Sequence, residues 1–149
     1  MPKVSVVIPT KNRAALLAEA IERIESQTVP REAYEVIVID NDSTDETRAV
    51  LEQKGKIFSN LKIGVQEKPG AAATRNAGLR LAKGGLILFI DDDVQAEPNL
   101  IEAHLACHGK NPNASVIGVV TMPWENTTDP FLRYLRDHRI LNPYTPSKG

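Results

Sequence analysis

The sequence holds a single cysteine, Cys107, so no internal disulfide can form and a disulfide-stapled scaffold is excluded. It also has almost no surplus charge. Eighteen Lys and Arg stand against 19 Asp and Glu, a formal net charge of −1. Domains that neutralise many DNA or RNA phosphates carry a marked basic excess, so no nucleic-acid partner is expected. No apolar run approaches the roughly 18–20 residues of a membrane helix, and Leu86–Ile90 is among the longest. The N-terminal Met1-Pro2-Lys3-Val4 moves straight into a strand-like segment. It lacks the basic stretch, apolar run and small-residue cleavage site of a signal peptide, and the expectation is a soluble, cytoplasmic domain.

What is present fits one globular domain. The 149 residues are 42% hydrophobic and 25% charged, too apolar for a disordered chain. A chain of this length can bury roughly 68–70% of its unfolded surface, enough for a core without staples. Short β-branched runs alternate with helical periodicity. Strands are predicted at Val4–Ile8, Val36–Ile39, Leu61–Gln66, Leu86–Ile90 and Val116–Val120. Helices are predicted at Ala14–Gln27, with Leu17, Ile21 and Ile24 on one face, and from Ser43 to about Lys54. In the second, Ser43 and Glu46 have capping-box spacing. Further helices are expected at Ala71–Lys83, stopped by Gly84-Gly85, and after Pro98, with Ile101, Leu105 and His108 on one face. Strand–helix repetition with continuously apolar strands predicts an α/β fold with a mostly parallel sheet. After Met122 four prolines punctuate a polar and aromatic stretch, with one short helix expected around Phe131–Asp137.

Ligands of open α/β sheets bind beyond the carboxyl ends of the strands. Strand one delivers Pro9-Thr10-Lys11-Asn12-Arg13, strand two Asp40-Asn41-Asp42-Ser43, and strand four Asp91-Asp92-Asp93. Three adjacent carboxylates after a buried strand repel one another, and burying ionised carboxylates unpaired costs several kcal/mol each. A hard divalent cation resolves the conflict, completing its shell with water and substrate phosphates. The other reading is a solvated acidic turn or an N-cap cluster before the Pro98 helix. Asp40 is placed to accept a hydrogen bond from a base N–H or a ribose hydroxyl. Asp42 reads equally as a ligand contact or as a helix cap. Arg13, Lys68 and Arg75 are cations near the same edge, able to neutralise phosphates.

Other features carry less. His104 and His108 have i,i+4 spacing, but no third ligand follows at a zinc-site spacing. Cys107 reads as a small core residue, and Trp124, Phe131 and Tyr134 as cover for the core. P-loop and G-x-G-x-x-G fingerprints are absent. A phospho-receiver domain would need an acidic pair after strand one, where Thr10 and Lys11 stand.

Four segments occur in order: Val4–Arg13 (VSVVIPTKNR), Glu35–Asp45 (EVIVIDNDSTD), Lys68–Gly78 (KPGAAATRNAG) and Leu88–Val94 (LFIDDDV). Together they resemble the nucleotide-binding half of family 2 glycosyltransferases, of the Rossmann-like GT-A fold. The resemblance covers about residues 3–122. It assigns 1–122 to a nucleotide-sugar-binding region and leaves 123–149 as the start of an acceptor-side region. It implies inverting transfer of a sugar from a nucleotide-diphospho-sugar (a UDP-, GDP- or dTDP-sugar) to a saccharide or lipid-linked acceptor, assisted by Mn²⁺ or Mg²⁺. By position, Pro9, Thr10, Asn12 and Arg13 would line the nucleotide pocket, Asp40 would contact the base, and Arg75 would help place the nucleotide. Asp91-Asp92-Asp93 matches the family's DXD motif. Asp93, with Asp91, is the implied metal ligand, while Asp91 and Asp92 would also serve ribose or metal-bound water.

An inverting transfer needs a general base for the acceptor hydroxyl. After Met122 the carboxylates are Glu125, Asp129 and Asp137, and none lies in a recognisable base motif. The expectation is therefore a truncated or split transferase whose general base is absent. The alternative is a non-catalytic nucleotide-sugar-binding module. An incomplete domain is also expected to expose apolar surface and self-associate, and a location at the inner face of a membrane is compatible with a lipid-linked acceptor.

Overall fold

In the computed structural model, residues 1–120 and 128–137 are described. Two compact units divide the chain, Met1–Lys110 and Asn111–Gly149. The first is an α/β layer structure. Its strands are β1 (Val4–Thr10), β2 (Tyr34–Asp40), β3 (Leu61–Val65) and β4 (Leu86–Phe89). Its helices are α1 (Ala14–Glu25), α2 (Thr47–Ile57), α3 (Ala71–Leu81) and α4 (Leu100–Lys110), with a 3₁₀ turn at Arg31–Ala33. All pairings are parallel, in the order β3-β2-β1-β4. No described helix is long and apolar enough to cross a membrane.

The β-branched runs explain the sheet. In β2 all seven residues are buried, as a central strand covered on both faces requires. Side chains alternate between two cores. Val4, Val6 and Ile8 of β1 pack with Leu17, Ile21 and Ile24 of α1, Leu51 of α2 and Ile101 of α4. Val7, Ile37 and Ile39 face the other way, onto Ala77 of α3. Each such fully buried Val, Leu or Ile contributes about 1.5–3 kcal/mol over an exposed one. α3 approaches the sheet so closely that a Cβ on Gly78 would lie 2.3 Å from Val7 Cγ1.

The amino ends of the strands are tied by a buried polar knot. Glu35 Oε1 accepts hydrogen bonds from Ser5 Oγ and Lys83 N, each at 2.6 Å, while Lys62 Nζ donates to Oε2. Gly84 N donates to Ser5 Oγ at 2.8 Å. Burial pushes the Glu35 carboxyl up, but the bonds from Lys62, Ser5 and Lys83 outweigh it and hold its pKa below the ordinary value. β1, β2, β3 and the approach to β4 thus meet on one carboxylate.

The expectations for Val116–Val120 and for the Ser43–Glu46 capping box fail. Val116–Val120 forms no strand, and Ile117, Val119 and Val120 are 92%, 62% and 56% exposed. β-branched residues favour a pleated, half-buried surface, and among the described residues no ladder partner or core supplies one. The capping box also fails. α2 starts at Thr47, and Ser43 Oγ instead accepts from Asn12 N at 2.8 Å. Asp45 does the capping: Oδ1 accepts from Thr47 N at 3.0 Å and Oδ2 from Ala14 N at 3.2 Å, so one carboxylate serves α2 and α1. The Thr47 side chain foremost, with the backbone N–H groups of Thr47 and Ala14, holds the Asp45 pKa low against the effect of burial.

In the second unit, α5 (Pro130–Asp137) starts where Asp129 Oδ1 accepts from Phe131 N at 2.8 Å. Phe131 and Tyr134 are 66% and 51% exposed, so they do not cover a core as expected. Trp124 and Glu125 lie outside the described residues.

Candidate functional site

The strand order reverses between β1 and β4. α1 and α2 lie on one face as the chain winds from β1 to β3, and α3 then crosses the other face to reach β4. At this switch point, beyond the carboxyl ends where ligands of open α/β sheets bind, the loops after β1 and β4 lie side by side, joined by Arg13 to Asp92 and Asp93. A cleft of about 710 Å³ opens there, a volume typical of small-ligand sites.

Its walls come from one strand end, three loops and one helix start. The end of β1 contributes Pro9 and Thr10, the β1–α1 loop Lys11, Asn12 and Arg13, and the loop after β4 Asp91, Asp92 and Asp93. Asn41 follows β2, and Gly70, Thr74 and Arg75 come from the start of α3. Of the residues that the resemblance assigns to the nucleotide and metal, only Asp40 is not on the wall. It lies just beneath, 1% exposed, where its Oδ1 accepts from Ser43 N at 3.0 Å. Its Oδ2 is buried without a hydrogen-bond partner. Lys68 also stays off the wall, and its carbonyl accepts from Asn41 Nδ2 at 3.1 Å.

The aspartates are not left to repel one another. Asp92 is 5% exposed and takes Thr10 Oγ1 at 2.7 Å and Arg13 Nη1 at 3.0 Å. The same Arg13 nitrogen donates to Asp93 Oδ2 at 2.8 Å. Asp91 Oδ1 takes Arg75 Nη2 at 2.5 Å. Asp92's charge, followed by the hydrogen bond to Asp93, holds the Arg13 guanidinium above its already high pKa. Two arginines of the chain already relieve the cluster. The cluster is also no cap for α4, whose Ile101 N donates to Gln27 Oε1 at 3.0 Å.

Backbone geometry at the rim is specialised. Asn12 and Asp42 adopt left-handed φ of 53° and 57°, a region in which Asn and Asp are enriched. Asn12 Oδ1 accepts from Thr44 N at 2.7 Å, locking the first two loops together. Asn41 is the residue that sequence reasoning undervalued. Its Nδ2 donates to Gln66 O at 2.6 Å, and its Oδ1 accepts from Gly70 N at 3.2 Å, fixing the entry to α3. Gly70 has φ 125°, which side-chain-bearing residues rarely adopt. The Pro69-Gly70 turn and the Asn beside Asp40 were the available signals.

The family profile described as Glycosyl transferase family 2 matches residues 5–147. The chain belongs to glycosyl transferase family 2. Among its relatives in that family, the validoxylamine A glucosyltransferase of Streptomyces hygroscopicus subsp. jinggangensis is 41% identical over 121 residues, covering 79% of this chain and 28% of the relative. Glycosyltransferase AglE of Haloferax volcanii is 35% identical over 103 residues, covering 68% and 34%. The chain thus spans about a third or less of the length of these family 2 relatives. A mannosyltransferase of Pyrobaculum calidifontis, solved with GDP-Man and Mn²⁺, superposes with a TM-score of 0.67 at 28% identity, covering 83% of this chain and 37% of that one. The expected fold, a GT-A α/β sheet with flanking helices, is the one observed. The family's four motif segments supply the first two strands and their loops, the start of α3, and β4 with its aspartates.

A second, smaller cleft of about 390 Å³ lies between α1 and the loop before α4, lined by Glu19, Glu22, Arg23, Ser26, Ala96 and Pro98. It is away from the strands' carboxyl ends and brings none of the family 2 motif residues together.

Proposed function

We propose that this chain forms the donor-binding part of an inverting glycosyltransferase that takes a nucleotide-diphospho-sugar with a divalent cation. The observation that carries the reading is the switch-point cleft, where Thr10, Arg13, Arg75 and Asp91-Asp92-Asp93 converge from separate segments. The relative solved with GDP-Man and Mn²⁺ has the same fold and supports a donor of that chemical class.

The donor set suits such an ion. No three metal-binding side chains cluster into an all-protein site among the described residues. Asp91 and Asp93 are hard oxygen donors on the rim, with side chains 57% and 48% exposed. Mg²⁺ and Mn²⁺ are commonly held by one or two carboxylates plus substrate phosphates. Asp93, with Asp91, would hold the ion, and Asp92 would stay on Thr10. A bound divalent ion would supply Lewis-acid stabilisation of the leaving diphosphate.

The chain's own groups do the rest. The guanidinium groups of Arg13 and Arg75 offer positive charge to the diphosphate. Asp40 Oδ2, buried and unsatisfied beneath the wall, is an acceptor for a base N–H once the nucleoside settles over it. Inversion requires a base on the face opposite the departing nucleotide. Asp129 is committed to capping α5, and Glu125 lies outside the described residues. A donor-binding module without turnover is the second reading.

Titration calorimetry with UDP, GDP and dTDP, with and without Mn²⁺, tests the assignment. One nucleotide should bind in a metal-dependent manner, and Asp93→Ala should weaken that binding at least about tenfold, roughly 1.4 kcal/mol. Absence of binding by all three would refute donor recognition. Sugar transfer to added acceptors would separate the enzyme from the binding module.

A further inference from the structure

We infer that Arg13 and Arg75 act as built-in counter-cations of the aspartate cluster, so that free metal is held off until a diphosphate draws the guanidinium groups away. The inference deepens the donor-site reading and rests on it for the identity of the displacing group. Both carboxylates suited to a metal are already engaged, Asp93 by Arg13 Nη1 at 2.8 Å and Asp91 by Arg75 Nη2 at 2.5 Å. Arg13 also reaches buried Asp92 at 3.0 Å, which anchors it over the cluster. A divalent ion arriving alone must compete with these charge-assisted bonds. A diphosphate changes the balance, because it gives each guanidinium a new anionic partner while releasing carboxylate oxygens.

Two consequences follow from this exchange. Metal and nucleoside diphosphate bind with positive coupling, and by linkage each strengthens the other by the same factor. Removing an arginine should also strengthen binding of metal alone, the reverse of what loss of a structural group would do. Lys11 provides the control. It lines the same cleft with no ion pair to the aspartates among the described residues, so its removal changes the charge equally without freeing a carboxylate.

Electron paramagnetic resonance of free Mn²⁺ titrated with the 149-residue protein, without nucleotide, measures the effect directly. Arg13→Gln and Arg75→Gln should each bind Mn²⁺ at least about fivefold more tightly than the wild type, a gain at the lower end of typical coupling. Lys11→Gln should shift affinity much less. Unchanged or weaker Mn²⁺ binding in both arginine variants overturns the inference, and so does an equal gain in Lys11→Gln. Circular dichroism identifies a misfolded variant, and the other arginine substitution then decides between the two outcomes. The result is separable from the donor assignment, which fails if no nucleoside diphosphate binds in the presence of Mn²⁺, whereas this inference is read with metal alone.

Discussion

Among individual residues, chemistry was more legible than partnership. Thr10, Arg13 and Asp91-Asp92-Asp93 stand out because polar residues directly after apolar strands have few structural reasons to be there. That Arg13 would close onto Asp92 and Asp93, far along the chain, is a product of β1 and β4 being neighbours. Glu25 shows the opposite case, a charged residue whose helical position gave no warning. Its side chain is 2% exposed, neither oxygen makes a well-formed hydrogen bond, and Arg31 Nε is 3.6 Å away. Burial outweighs the Arg31 charge and the nearby Asn60 amide, so the carboxyl pKa is raised. A raised folded-state pKa gives stability that is full below the unfolded value and lost as pH rises through the folded one. Glu25→Gln should therefore gain on the wild type as pH rises through the folded-state value of this carboxyl. Urea unfolding at several pH values checks this, and a pH-independent difference would contradict it.

At the level of elements, periodicity located helices and strands well, while their ends depended on contacts no local pattern reveals. The Ser43–Glu46 spacing has the form of a capping box, yet Asp45 is the residue that reaches both helix starts. Val116–Val120 has the composition of a strand but no neighbour to pair with in the described structure. α3 is the element whose position matters most for the site, since it carries Thr74 and Arg75 and rests on β1 through Gly78. Gly78→Ala would bring a methyl group to 2.3 Å from Cγ1 of the fully buried Val7, in the middle of β1. Either Val7 or the helix must move, at a cost of about 1–3 kcal/mol. The thermal midpoint should fall, and nucleoside diphosphate affinity should fall with it as Arg75 shifts. Melting and calorimetry on the same sample measure both, and unchanged stability would show that α3 has slack to yield.

For the whole molecule, the alternation of strands and helices made the α/β class readable, and the reversal of strand order then placed the cleft. Which surfaces stay uncovered was not readable, because exposure depends on what packs against a sheet edge. β3 is one such edge, with Ile63 and Val65 42% and 55% exposed. Its neighbours add Ile57 at the end of α2, 58% exposed, and Leu79 and Leu81 of α3, each 41% exposed. An edge strand offers unpaired backbone groups, and apolar side chains beside it favour addition of another chain. Lys62, the charge that would protect this edge, is drawn onto Glu35. The 149-residue protein should therefore self-associate reversibly as its concentration rises, with sedimentation velocity showing a growing average mass. Partial burial of these few side chains, set against the entropy of association, corresponds to weak affinity rather than a permanent dimer. Val65→Lys should place a charge in the contact and return the protein to a monomer, while leaving nucleotide binding at the switch point intact. If the variant associates as readily as the wild type, the contact lies elsewhere, and the β4 edge with its 43% exposed Phe89 becomes the surface to alter next.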